Sequence, residues 1–256
     1  MQINKLYHQD CLEFLKSAKD EIFDLIIADP PYFQIKGDFD FVWNSSQEYI
    51  EWSKIWIGEC NRVLKPNGTM YLWGKIGYNK GLSLLKIAIW LEDLSGFKII
   101  NWITQRNTRG RGNKKGFVET REELLLLVKN SCKNYTWNNS YLKEKSKRKD
   151  MGFDGKIRKN EFKRATDVWY DISEASQSSK QRFKTKSGKK FETVKNLLLC
   201  DRIIEASSIE GSLVYIPFAG SGSEVVSCIV NKRNWVATEI DREYIELIHN
   251  RILSET

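Results

Sequence analysis

Ile22-Phe23-Asp24-Leu25-Ile26-Ile27-Ala28-Asp29-Pro30-Pro31-Tyr32 is the stretch on which the reading of the chain turns. A short apolar run ends abruptly at an acid and two prolines. Its length and its sharp end describe a buried strand of a parallel sheet. The loop after it is stiff, because two prolines fix φ and remove two N–H donors. Its carbonyls point outward, and Tyr32 sets a flat aromatic beside Asp29.

Working outward, residues 11–19 read as a short helix before this strand. Residues 47–64 carry a broad apolar face from Tyr49 to Leu64, which predicts a second helix, closed by the turn Lys65-Pro66-Asn67-Gly68. Thr69–Trp73 follows as a strand, 78–92 as a helix, and 97–104 and 122–128 as further strands. The pattern lapses after residue 130 and returns near 193, where Val194, Leu197, Leu198, Ile203 and Ile204 restore helical spacing. Ser212–Ile216 is a strand, a helix runs to about 231, Asn234–Thr238 is a strand and 242–252 a last helix. Strands and helices alternate at both ends of the chain, which predicts an α/β layered domain formed by 1–131 and 193–256, with 132–192 as a basic insertion.

The 256 residues suffice for one well-buried domain with an insertion. Hydrophobic residues at 41% and charged residues at 29% are ordinary for a soluble globular protein, and the longest apolar run, Leu124–Val128, is far short of a membrane span. The start, MQINKLYHQD, lacks the features of a secretory signal, so a cytoplasmic protein is expected. Five scattered cysteines fit neither a zinc site nor a disulfide framework, and no metal is expected. The net charge of +8 favours a polyanionic partner. It concentrates in Lys143–Arg164, with ten Lys/Arg against four Asp/Glu, and in Lys180–Lys195, with seven against one. A solvated basic surface is the plain alternative.

Phe218-Ala219-Gly220-Ser221-Gly222 lies between a strand and a helix, where bare backbone and free helix N–H groups admit a ligand closely. Glu239, at the tip of the next strand, follows Gly220 by 19 residues. That is the spacing at which nucleotide-binding α/β folds hold ribose hydroxyls, and it does not by itself separate NAD from S-adenosylmethionine. The third glycine of the dinucleotide pattern is absent, since position 225 is Val, and no Walker motif is present. A cofactor with a ribose and no pyrophosphate fits better.

The Asp29 loop suits an amine on a planar ring. Asp29 and a backbone carbonyl can accept both amino hydrogens while Tyr32 stacks on the ring, which aims the nitrogen lone pair at a donor. The plain alternative is a proline-rich turn with an incidental acid.

Asp29-Pro30-Pro31-Tyr32, taken with Phe218-Ala219-Gly220-Ser221-Gly222, resembles the amino-methyltransferases of DNA. The catalytic loop comes first and the cofactor loop near the C-terminus, an order that looks like the β class of the adenine-N6 enzymes. Val63–Thr69, Asn101-Trp102, Glu122–Val128, Thr166–Trp169 and Thr193-Val194-Lys195 extend the likeness over nearly the whole chain. The resemblance implies a Rossmann-like methyltransferase fold: a mostly parallel sheet with helices on both faces and a circularly permuted motif order. It implies a methyl group moved from S-adenosylmethionine, leaving S-adenosylhomocysteine, to N6 of a flipped adenine in double-stranded DNA. Asp29, Pro30, Pro31 and Tyr32 would hold the base. Asp10, Cys11, Asp29, Thr193, Lys195, Pro217, Phe218, Ala219, Gly220, Ser221, Gly222, Ser223, Glu239 and Ile240 would surround the cofactor. For Asp10 a helix N-cap is an equal alternative, and one role does not exclude the other.

Residues 132–192 would be the target-recognition region. Lys147, Arg148, Arg158, Lys159, Lys163 and Arg164 would meet phosphates there, and Arg109, Arg111, Lys114 and Lys115 would do so from a flexible basic loop over 107–115 beside the active site. A restriction-modification context brings a cognate endonuclease, a second methyltransferase subunit or a second copy of the chain as partners. Cytosine N4 is the nearest rival target, although those enzymes usually carry Ser where Asp29 stands; an RNA or free-nucleotide methyltransferase and an NAD oxidoreductase stand further off. The chain departs from the family at Ile216, usually Asp; at Phe191 and Asn196, usually His and Pro; and at Ser223 and Glu224, often Thr. The lost acid at 216 implies weaker cofactor binding, or a weakly active DNA-binding subunit that needs a partner.

Overall fold

The computed structural model describes residues 1–35, 38–76, 82–94, 96–111, 115, 117–139, 143–145, 162–173, 184–185, 187–188 and 193–255. The chain runs β1 (Lys5–His8), α1 (Cys11–Ser17), β2 (Phe23–Ala28), a 3-10 turn (Asp38–Phe41), α2 (Ser46–Val63), β3 (Leu64–Gly74), α3 (Ser83–Leu94), β4 (Phe97–Arg111) and β5 (Glu119–Lys129). It continues with β6 (Lys143–Lys145), β7 (Phe162–Arg164), β8 (Val168–Trp169), α4 (Leu197–Ser207), β9 (Leu213–Ile216), α5 (Ser223–Val230), β10 (Asn234–Glu239) and α6 (Arg242–Glu255).

Eight strands form one sheet in the order β1-β10-β9-β2-β3-β5-β4-β8. The first five are mutually parallel, β5 runs antiparallel to both β3 and β4, and β8 is parallel to β4. This is the expected mostly parallel sheet. The permuted order is visible at its centre, where Leu25 of β2 pairs with Val214 of β9 although most of the chain separates them. Asp24 helps to fix that junction: its Oδ2 accepts the N–H of Leu213 at 2.9 Å, and its Oδ1 accepts from Lys65 at 2.7 Å.

Alternation within the strands divides the core into two layers. Ile26, Ala28, Met70, Leu72, Leu125, Leu127, Tyr215 and Val236 pack toward α1, α2 and α3. Leu25, Ile27, Tyr71, Trp73, Leu124, Leu126, Val214, Ile216 and Ala237 pack toward α4, α5 and α6. Both faces are therefore buried, as near-continuous apolar strands such as Leu124–Val128 require. Ser45 begins α2 as an N-cap, accepting from the N–H of Glu48 at 3.1 Å.

Two expectations need correction. The basic stretch 107–115 reads as a loop in the sequence, but β4 runs on through Arg111 because β5 continues to pair with it, Arg106 with Arg121 and Arg111 with Glu119. The 132–192 segment is not wholly an insertion. β8 adds an edge strand to the main sheet, Trp169 is buried in its core, and the Asn138 side chain donates to the carbonyls of Glu205 and Ser208 at the end of α4. Its short polar-flanked strand carries no period of its own, so only partners far along the chain define it.

Candidate active site

The carboxyl ends of β1, β10, β9 and β2 stand side by side, and the loops leaving them line a cleft of about 650 Å³. That volume suits a nucleoside-sized ligand, in the place where open α/β sheets bind ligands. Its wall includes Asp10 and Cys11 after β1, Asp29–Tyr32 after β2, Thr193 and Lys195 before α4, Pro217–Ser221 after β9, and Glu239 and Ile240 after β10. Gly222 and Ser223 are the two expected site residues that stay out of it. They build the turn instead. Gly220 and Gly222 both take left-handed backbone, at φ 49° and 75°, which side-chain-bearing residues rarely adopt. Ser223 is fully buried and donates to the carbonyl of Lys195 at 2.8 Å, tying the turn to the residues that lead into α4.

Glu239 is held by backbone. Its Oε2 accepts from Gly220 N–H at 2.8 Å, and its Oε1 accepts from Ile240 and Asp241 N–H, both at 2.9 Å. A carboxylate offers roughly four acceptor sites, so three bonds fix its direction and leave room for a hydroxyl. Burial raises its pKa above the ordinary glutamate value, and the three backbone donors pull the other way. Asp10 N-caps α1, accepting from Leu12 N–H at 2.9 Å, and also faces the cleft, so both readings of it hold in the geometry. Asn196, where the family usually has Pro, N-caps α4 by accepting from Leu198 N–H at 3.1 Å.

Lys195 sits at the other end, beside Asp29. Its Nζ lies 3.3 Å from Asp29 Oδ2 and 2.7 Å from Glu122 Oε2, donates to Tyr32 Oη at 3.2 Å, and stands 4.4 Å from the centre of the Trp73 ring. Tyr32 donates its hydroxyl proton to Asp29 Oδ1 at 2.7 Å. Burial raises the Asp29 pKa above its ordinary value, opposed by Lys195. Burial would also raise Glu122, but Lys195 outweighs it and holds that carboxyl below the usual range. The Lys195 pKa is raised: burial favours the neutral amine, and the Asp29 and Glu122 carboxylates more than reverse it.

The sequence reading misses Asp40, Glu122 and Glu224. Asp40 is buried, and its Oδ1 accepts the Tyr32 N–H at 2.5 Å, clamping the catalytic loop from the 3-10 turn. In sequence, Glu122 reads only as the start of a strand. Glu224 stands out there only as a departure from the family, yet it lines the cleft. An acid among apolar strand residues is the available signal for Glu122; for Asp40 there is none. Of the expected DNA contacts, Lys115 is exposed, only the backbone is described for Arg109, Arg111, Lys163 and Arg164, and Lys114, Lys147, Arg148, Arg158 and Lys159 lie outside the described residues.

A permuted α/β sheet with a nucleoside-sized cleft, a carboxylate on the glycine turn and an acidic proline loop defines a group-transfer enzyme working on an amine beside a nucleoside cofactor. Sequence comparison agrees. The profile of the DNA methylase family that joins N6 and N4 enzymes matches residues 23–250. The type II methyltransferase M.HpaI of Haemophilus parainfluenzae is 32% identical over 253 residues, covering 98% of this chain and 74% of that protein. M2.DpnII of Streptococcus pneumoniae is 31% identical over 270 residues, covering 98% and 90%. In fold, the cytosine-N4-specific PvuII DNA methyltransferase matches with a TM-score of 0.73 at 17% identity, covering 100% of this chain and 94% of that one. A putative DNA modification methylase of Thermus thermophilus, complexed with S-adenosyl-L-methionine, matches at 0.66 and 20%, covering 98% and 95%. The chain belongs to the N6/N4 DNA methylase family, the S-adenosylmethionine-dependent DNA methyltransferases.

If Glu239 holds the cofactor ribose, Glu239→Gln puts an amide N–H₂ where a backbone N–H now donates. Cofactor affinity by calorimetry is expected to fall about 10- to 100-fold, the effect of one or two hydrogen bonds to a charged group. Unchanged affinity would remove Glu239 from the cofactor site.

Proposed function

We propose that this methyltransferase acts on the exocyclic N6 of adenine in double-stranded DNA, with Asp29 receiving the amino group. The observation that carries the reading is an acid, rather than the serine usual in cytosine-N4 enzymes, at the carboxyl end of β2 and oriented by Tyr32 and Lys195. When bound, S-adenosylmethionine supplies a methyl group on a positively charged sulfur. Asp29 and the Pro30 carbonyl accept the two amino hydrogens; the Pro31 carbonyl is already taken by the Tyr49 hydroxyl at 3.0 Å. Both Asp29 oxygens have protein partners, but each retains acceptor capacity. This arrangement directs the nitrogen lone pair and offsets the positive charge that develops on N6. Asp29, a stronger base than an exposed aspartate because burial raises its pKa, then takes the proton that N6 releases.

The base reaches the cleft only by flipping out of the duplex. Gly74 at the end of β3 pairs with Glu123, which pairs with Thr104, so residues 105–111 and 119–122 project past the sheet edge on which the cleft opens. Arg109, Arg111 and Lys115 on this hairpin, with the basic segments of 132–192, supply the phosphate contacts that give a salt-dependent affinity. Expression in a methylation-free host followed by sequencing of modified bases in its genome tests the proposal: modified adenine at one recurring sequence supports it, and modified cytosine overturns it.

Tyr32 has two separable contributions. Tyr32→Phe keeps a stacking face and loses the 2.7 Å bond to Asp29, which is expected to lower kcat about 3- to 10-fold. Tyr32→Ala also removes the stacking face and is expected to cost about 100-fold or more. Equal losses, measured by steady-state transfer to DNA, would show that stacking contributes nothing.

A further inference from the structure

Glu224 is buried and unused by the mechanism above. It sits in the first turn of α5, directly after the glycine turn, and lines the cleft with Asp29, Lys195 and Ser221. It is 4% exposed, and its Oε1 is buried with no hydrogen-bond partner among the described residues. Buried carboxylate oxygens nearly always have partners, because an unpaired one carries its full desolvation penalty. The two cations near it are committed elsewhere. Lys195 is held by Asp29 and Glu122, and Arg251 by Glu255 and by the Ser221 carbonyl at 2.9 Å. Burial first, and then Asp29, push the Glu224 pKa up to about 7, while Lys195 and Arg251 pull it down. An arriving cation would hold the group ionised.

Ile216 supplies the second half of the argument. The family usually has an acid there, but this side chain is fully buried in the apolar layer shared with Val225 and Ile248 and takes no part in the cleft wall. The end of β9 therefore offers the cleft no carboxylate, and Glu224 brings one from the other side of the same turn. Polarity of the ligand follows from its chemistry. Adenosine and the amino-acid group leave the sulfur in different directions, and the methyl must lie at Asp29. With the ribose at Glu239 beside β10, the amino-acid group falls on the side of Asp29, Lys195 and α5.

We infer that Glu224 binds the α-ammonium of the methionine end of the cofactor, in place of the acid absent at 216. This rests on the reading of the cleft as the S-adenosylmethionine site. Calorimetric titration of the full chain with S-adenosylmethionine and with 5′-methylthioadenosine, which lacks the amino-acid group, tests it in Glu224→Gln. The expected result is S-adenosylmethionine affinity about 10- to 100-fold weaker, with 5′-methylthioadenosine affinity within about 2-fold of the wild type. Thermal unfolding of the ligand-free variant guards against a damaged fold; its Tm is expected at or above the wild-type value, because a buried unpaired charge has been removed. Unchanged S-adenosylmethionine affinity, or equal weakening of both ligands with a lower Tm, would overturn the assignment. If the wild type binds neither ligand, the cofactor reading fails, and the assignment falls with it.

Discussion

Asp29→Ala is expected to lower methyl transfer to DNA by at least about 10²- to 10³-fold while leaving S-adenosylmethionine binding largely intact. Removal of one preorganised charge-stabilising group from a dehydrated site has that magnitude. The fold should tolerate the change, because Lys195 keeps Glu122 at 2.7 Å and stays paired. The pH dependence gives a second check, with opposite signs for stability and activity. Burial raises the folded-state pKa of Asp29 above its ordinary value. Protonation therefore favours the folded state, and this group's contribution to stability falls as pH rises from the ordinary aspartate range through the raised value. Activity needs the ionised acceptor, so it is lost as pH falls through that same raised value, at a higher pH than an exposed aspartate would give. A pH profile of single-turnover transfer reads this limb directly. Full activity in the alanine variant would remove Asp29 from catalysis.

Lys195→Met is expected to produce the largest loss of stability. Lys195 is 6% exposed and is the shared cation of two buried carboxylates, with Glu224 also nearby. Taking away one partner of a buried ion pair costs about 3–5 kcal/mol, since the remaining charges stay desolvated and now repel. For a chain of this length, that lowers Tm by roughly 6–20 °C. The packing lost against Trp73 cannot be recovered by a second substitution, but the repulsion can. Lys195→Met with Glu122→Gln should therefore be at least about 1 kcal/mol more stable than the sum of the single changes. Strict additivity in urea unfolding would show that Lys195 acts through packing alone.

What can be read from the sequence is local. The Asp29 loop follows its strand directly, and Gly220 and Glu239 are separated by one helix, so a fixed spacing reports both. The two glycines are required by left-handed backbone at 220 and 222. What cannot be read depends on tertiary neighbours. Lys195 meets Glu122 across 73 residues and Tyr32 across 163, and nothing near any of them announces the pairing. Val168-Trp169 looks like part of an irregular basic segment until β4 supplies its partner. Ile216 shows the same limit in reverse. The departure from the family pattern is plain in the sequence, but not that this side chain faces the apolar layer and that the acid of the glycine turn stands at Glu224.

The most direct test of the central claim uses the purified chain, unmethylated double-stranded DNA and S-adenosylmethionine labelled in its methyl group, followed by digestion of the DNA to nucleosides. Label in N6-methyldeoxyadenosine, absent with Asp29→Ala, is the predicted result. Label in N4-methyldeoxycytidine, or no label from a protein that binds the cofactor normally, would contradict it.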